Sequence, residues 1–351
     1  MTEVVLPDGS FNSNVYPDVG LEKCAELGLQ NGVDFYISKK ASNYQKGLRG
    51  AARGGHKHLV DFFIEKGADL FSWGIIAAAK GGHQDLLEFF IKRCQNFALS
   101  VALGDAMKSA AETNQQKIID FLIRKGVCDW NHGMWGAAIG GHKHLVDFFI
   151  AKGANNWPWG LYGAAKGGHR SLVEFFISKG VEEDYYNEGL FTAAEHGHKH
   201  LVDLFIEHGA DDFDSAMHNA AKGGHRDLVD FFISLGANDW DSALIGATYG
   251  GHISLVAMFL SLGAKIYCVD EPELDCLNIA SNRGYQDIVE LLIEHGANEF
   301  NIGLLYAAIG GHMNIIELLV KHGANEWKDA YCLARENGHK EATEFFQEKL
   351  K

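Results

Sequence analysis

Apolar and polar positions along this chain recur in blocks. A run close to Ala-Ala-x-Gly-Gly-His, then two residues, then Leu-Val-x-Phe-Phe-Ile is legible at 51–64, 78–91, 137–150, 164–177 and 220–233. With the His as position zero, twelve repeats centre on Leu29, His56, His83, Gln115, His142, His169, His198, His225, His252, Tyr285, His312 and His339. Eight of the eleven spacings are 27 residues, and the others are 32, 29 and 33. Self-similarity at so short a period predicts a solenoid, whose repeats bury their apolar stripes only by stacking on one another.

Each repeat reads as two helices. Eight residues before zero stands an apolar side chain, from Leu21 and Leu48 through to Tyr331, and five before stands Ala in all but the first repeat, which has Cys24. Those positions lie on one helical face, and the small alanine admits a close neighbour. The glycine pair then ends the helix, because glycine readily takes the left-handed conformation of a C-terminal cap. A second helix follows, with apolar residues at +3, +4, +7 and +8, as in Leu59, Val60, Phe63 and Ile64. That spacing predicts a wide buried stripe. Position +5 is Asp or Glu in eleven of twelve repeats and marks the solvent side. A Gly-Ala closes the helix, as at Gly67-Ala68.

Composition narrows the function. The 351 residues carry Lys plus Arg 31 against Asp plus Glu 46, a net charge of −15. Such a field repels nucleic acid, and no basic stripe offsets it. It favours, if anything, a basic partner. No apolar run is long enough for a membrane span, and the first residues lack signal-peptide character, so neither membrane nor secretion is expected. The six cysteines are scattered without Cys-x-x-Cys spacing, which fits reduced thiols in the cytoplasm.

No chemistry-bearing motif stands out. The Gly-Gly pairs lack the Lys-Ser/Thr of a phosphate loop, and no Gly-x-Ser-x-Gly elbow occurs. His196, His198 and His200 have the look of a ligand run, but residues two apart at a helix start face different ways. The reading is therefore no catalytic residue, no cofactor and no metal. Position-zero histidines are expected to start a helix and bond a neighbouring loop's backbone.

The Ala-Ala, Gly-His, Leu-Val and Gly-Ala elements resemble those of the ankyrin repeat family over about residues 20–351. The resemblance implies an all-α ankyrin-type solenoid of about twelve helix–turn–helix repeats. Two departures matter. The family's Thr-Pro-Leu-His opening is replaced, for example by Trp73-Gly-Ile-Ile76, and a 27-residue repeat is too short for the usual β-hairpin finger. The hairpin loops are thus mostly truncated. One full-length finger is expected in 264–277, tipped by Asp270, Glu271 and Glu273. An aromatic twelve before zero (Tyr44, Phe71, Trp130, Trp157, Tyr186, Phe213, Trp240, Phe300, Trp327) is read as filling the vacated space between neighbouring loops. Asn155, Asn238, Asn298 and Asn325, after Gly-Ala, are read as helix caps. Short repeats of this kind are similar to those of large DNA viruses that infect amoebae, which would place the protein in host cytoplasm. The organisation reads as residues 1–19 without a repeat, an array over 20–327, and a capping repeat at 328–351, whose outer face is polar.

The family's binding mode implies non-enzymatic recognition of a partner protein by a monomer, through a concave face lined by the first helices. Positions −10, −7 and −3 share one face and vary between repeats, which marks them as candidates. The candidate patch is Trp73, Trp135, Ile139, Trp159, Tyr162, Phe191, Ile245 and Tyr249. Other readings are a structural or scaffold component, virion-associated or self-assembling, and a substrate adaptor for a ubiquitin ligase.

Overall fold

A computed structural model describes residues 4–6, 9–13, 15–94, 97–266 and 275–351. It is all-α: the described residues form 24 helices and no β-strand, with one isolated antiparallel bridge between Val5 and Phe11. The chain divides into two compact units, Met1–Val181 and Glu182–Lys351, each holding six helix pairs.

Every second helix begins immediately after a position-zero residue. In the second repeat the first helix is Tyr44–Gly54 and the second is Lys57–Glu65. Gly55 caps the first at φ +81°, where an L side chain would be strained. The −8 and −5 positions of this repeat, Leu48 and Ala51, are fully buried, as are Leu59, Val60 and Phe63. The +8 residue, Ile64, is only half-buried. The buried stripe is therefore narrower than the sequence pattern suggested.

Glycine at −9 sets how the two helices of a repeat meet. A Cβ on Gly47 would sit 2.4 Å from the Phe63 ring, and one on Gly160 would sit 2.3 Å from Phe176. In these repeats the ring of the second helix lies directly on the backbone of the first, while Phe232, Phe259 and Phe346 are equally buried opposite Ala216, Ala243 and Ala330, so the position demands a small residue. The −12 aromatics also serve their own repeat. Tyr44 faces Phe63 at 6.4 Å between centroids, Phe71 faces Phe90 at 6.3 Å, and Phe213 faces Phe232 at 6.3 Å. In these repeats they lie beside the buried ring of their own helix pair.

Histidine ties successive repeats. His56 Nε2 donates to the carbonyl of Glu26 at 3.1 Å, and His83 to that of Arg53 at 3.1 Å. The same bond joins His142 to Glu112, His169 to Ile139, His225 to Glu195, His252 to Lys222, His312 to Asn282 and His339 to Ile309. A carbonyl only accepts, so Nε2 carries the hydrogen. The acceptor belongs to the last turn of the preceding first helix, whose end carbonyls lack intrahelical partners. The imidazole makes no cap bond to its own helix. It joins one repeat to the next.

A second tie stands where a hairpin finger would be. Asn131 Oδ1 accepts from the backbone N–H groups of Asn155 at 2.9 Å and Asn156 at 3.0 Å, one repeat later. Asp18 accepts in the same way from Ser42 and Asn43, Asn187 from Asp211 and Asp212, and Asp214 from Asn238 and Asp239. The side-chain caps are the residues one further on, Asn156 and Asp239. Asn155 and Asn238 instead give their backbone N–H groups to this latch, which corrects their reading as caps.

Irregular spacings have local causes. The 32-residue spacing ends in a first helix of 16 residues, Phe97–Glu112, against 11 in its predecessor, Phe71–Gly81. The 33-residue spacing leads to a short one, Cys276–Arg283, capped by buried Asp275. The expected finger, with Asp270, Glu271 and Glu273, lies outside the described residues. Ahead of the first repeat, Phe11 packs on Phe35 at 5.6 Å, and Tyr36 donates to the carbonyl of Asn12.

Candidate interaction face

Because −5 and −8 turn inward, −10, −7 and −3 point away from the second helices. None of the eight candidate residues is fully buried. Trp73, Trp159 and Tyr249 are 37%, 36% and 44% exposed, and Trp135, Ile139, Tyr162, Phe191 and Ile245 are half-buried. Large aromatics exposed to that degree are not core residues.

In the first unit the structure brings Trp135 and Trp159 together at 5.6 Å between ring centroids. His132, at −10 of the fifth repeat, stands edge-on to Trp159 at 5.1 Å, and its Nδ1 lies 2.7 Å from Asp129. Lys108 Nζ rests 3.4 Å above the Trp135 ring. Burial, then the charge of Lys166, holds this ammonium below its ordinary range. Trp73 lies two repeats earlier under the Arg49 guanidinium, 5.3 Å away, in a groove of about 210 Å³ with Ile76, Arg53 and Lys80. Arg49 is itself clamped by Glu22 through two bonds of 2.8 and 2.6 Å.

The second unit is organised around Tyr249. Arg283 stacks over its ring at 3.5 Å, and Lys222 approaches the same ring at 5.5 Å. A groove of about 450 Å³ is lined by Tyr249, Asn278, Ile279, Asn282, Arg283 and Tyr306. Two of these residues stand at position −6, which is glycine in several repeats. A Cβ on Gly50 would meet the Glu22 carbonyl at 2.1 Å, and one on Gly246 would meet that of His218 at 2.4 Å. Ile279 and Tyr306 occupy this position in the tenth and eleventh repeats, where such close backbone approach is impossible. Sequence reasoning missed Arg283 and Tyr306 because they fall outside −10, −7 and −3. The signal was present, since Arg283 replaces the first glycine of Gly-Gly-His.

The second-helix face is different in kind. Position +5 acids pair with +1 cations one turn away, as in Lys57–Asp61, Arg170–Glu174 and Arg226–Asp230. The same cations cover half-buried +6 rings of the next repeat, Lys143 over Phe175 at 4.0 Å and Lys199 over Phe231 at 3.7 Å. This surface satisfies itself. The His196–His200 run does likewise, with His196 Nδ1 bonded to the Thr192 carbonyl and its ring stacked on His198. Among the described residues, no group of three or more His, Cys, Asp or Glu is placed to hold a metal, and no helix is long and apolar enough to cross a membrane.

The family model described as ankyrin repeats (3 copies) matches the chain at residues 161–243, 217–303 and 244–330. No curated protein matches it. Ankyrin repeats are generally protein–protein interaction modules and typically lack enzymatic activity. Residues 161–330 thus carry ankyrin repeats, and the fold is of the ankyrin-type helical-repeat class.

Proposed function

We propose that the protein is a monomeric, non-enzymatic recognition module that binds a partner protein through its first-helix face. The observation that carries this reading is the contrast between its two surfaces. Most second helices pair their charges among themselves and cover their half-buried rings, and the large apolar residues left exposed on them or at their ends, such as Leu235, Ile253 and Leu262, are aliphatic. The first helices leave Trp73, Trp159 and Tyr249 at least a third exposed. Tryptophan and tyrosine supply large contact area at small entropic cost and dominate binding hot spots. Trp135, Ile139 and Tyr162 extend the aromatic surface of the first unit, and Phe191 and Ile245 that of the second.

The test is affinity capture from lysate, read by mass spectrometry, with wild type beside Trp135→Ala/Tyr162→Ala. Loss of a captured protein at unchanged melting temperature supports the reading. A fall in melting temperature that accounts for the loss assigns the two residues to the core, and undiminished capture removes them from the interface.

A further inference from the structure

The first-helix face neutralises its cations by a recurrent device. Arg53 pairs with Glu26 at 3.0 Å, Lys80 with Glu112 at 2.9 Å, and Lys222 with Glu195 at 3.0 Å. In each pair, cation and carboxylate both stand at −3 of adjacent repeats. At −3 of the ninth repeat stands Tyr249, and two cations reach its ring: Lys222, already paired with Glu195, at 5.5 Å, and Arg283, at −2 of the tenth repeat, at 3.5 Å. An aromatic face attracts a guanidinium but supplies no negative charge to cancel it. Among the described residues the Arg283 side chain has neither an ion pair nor a hydrogen bond beyond this stacking. It is exposed, at the edge of the 450 Å³ groove, with Asn282 and Tyr306 beside it. Lys108 over Trp135, both at −7 of adjacent repeats, sets a cation on a ring where Arg49 and Glu22 at the same positions form an ion pair.

From this juxtaposition we infer that the groove between Tyr249, Arg283 and Tyr306 takes a carboxylate side chain from an acidic segment of the partner protein. The inference rests on the first-helix face being the binding surface, and it adds the chemistry of what binds there. A guanidinium already stacked on a ring is fixed in orientation, so little further freedom is lost when it forms a bidentate bond to a carboxylate. An acidic segment is the opposite of what the overall charge of −15 suggests. Net charge acts at long range and is screened beyond about 8–10 Å in physiological salt, so the local cation decides the contact.

A displayed random-peptide library selected on the full chain tests this directly. Peptides retained by wild type should be enriched in Asp and Glu, and Arg283→Met should weaken them on the order of 10-fold or more, as loss of a charged hydrogen bond does. Arg283→Lys, which keeps the charge but not the fork, should recover part of the affinity. Circular dichroism of both variants should match wild type, because the side chain is exposed. Selected peptides without acidic enrichment, or with binding indifferent to Arg283→Met, overturn the inference. If such peptides are nonetheless lost on Ile245→Ala, the carboxylate falls and the first-helix face stands. If they are indifferent to Arg283, Ile245 and Trp135 alike, or if none is selected, both fall.

Discussion

His169 Nε2 donates to the carbonyl of Ile139, 3.0 Å away and 30 residues earlier. The bond gives an otherwise unpartnered helix-end carbonyl a donor and, with its counterparts in seven other repeats, fastens each helix pair to the one before. His169→Ala should therefore lower stability by about 1–2 kcal/mol, the combined cost of a lost hydrogen bond and an exposed acceptor. His169→Gln, whose side-chain amide N–H can donate in place of the imidazole, should retain part of it. Urea unfolding followed by circular dichroism reads both. Equal losses for Ala and Gln would argue that ring packing, not the bond, carries the effect.

Gly160 lies under the ring of Phe176, so Gly160→Ala forces overlap in a filled interior. Phe232 and Phe259 accommodate alanine at this position, as Ala216 and Ala243, so the ring can shift and the expected loss is about 1 kcal/mol, set against alanine's better helix propensity. Adding Phe176→Leu should restore some of it, as the fourth repeat carries Ala106 and Leu122 at the same two positions. A gain in stability for the single variant, measured by the same unfolding experiment, would contradict the packing described.

Burial, against the bond to Asn282 and aided by the neighbouring His339, holds His312 below the ordinary histidine pKa. The unfolded chain binds a proton at about pH 6.5, whereas the native state resists until lower pH. The unfolded state thus binds more protons in that window, and stability falls as pH drops from about 7 through 6.5 toward the depressed native value. The His312→Gln variant should lose less stability than wild type over that window. Unfolding free energies on either side of it test this, and identical pH slopes would count against it.

Cys24 is fully buried, and its thiol is pushed up to about 11 by desolvation. At pH 8 only about one molecule in a thousand is thiolate there, and no reagent reaches it. Exposed Cys128 should react with a thiol-specific chromogen quickly, and half-buried Cys94 and Cys332 more slowly. Cys24 should react only on unfolding. Prompt labelling of Cys24, located by peptide mapping, would show that the first repeat opens.

Asn131→Ala removes the acceptor shared by the Asn155 and Asn156 N–H groups. With two partly exposed donors released to water, the expected cost is about 1 kcal/mol, confined to the fifth and sixth repeats. Hydrogen exchange should show faster exchange at Asn155 and Asn156 with distant amides unchanged. Protection that persists at both would mean that the latch is incidental.

Much of this was legible in the sequence. Ala51, Leu48, Leu59 and Val60 gave the buried face through periodicity alone, and Gly54-Gly55-His56 marked the junction between helices. What periodicity conceals is which partner a conserved-looking position serves. Asn131 and Asn155 sit 24 residues apart, so their bond becomes visible only when two repeats are superposed in space. Gly47 reads as an unremarkable helix residue until Phe63 is seen to lie on it. Arg283 escaped for a different reason: it breaks the repeat, and a register built on regularity discards exceptions.

Partner docking is assigned to the first helices and not to the second. Site-specific photo-crosslinking tests it most directly, with a benzophenone side chain in place of Trp159 or Tyr249 on one face and of Glu174 or Asp230 on the other. Irradiation in lysate should yield adducts with another protein from the first pair of positions and not from the second. Adducts formed only from Glu174 and Asp230 would contradict the claim.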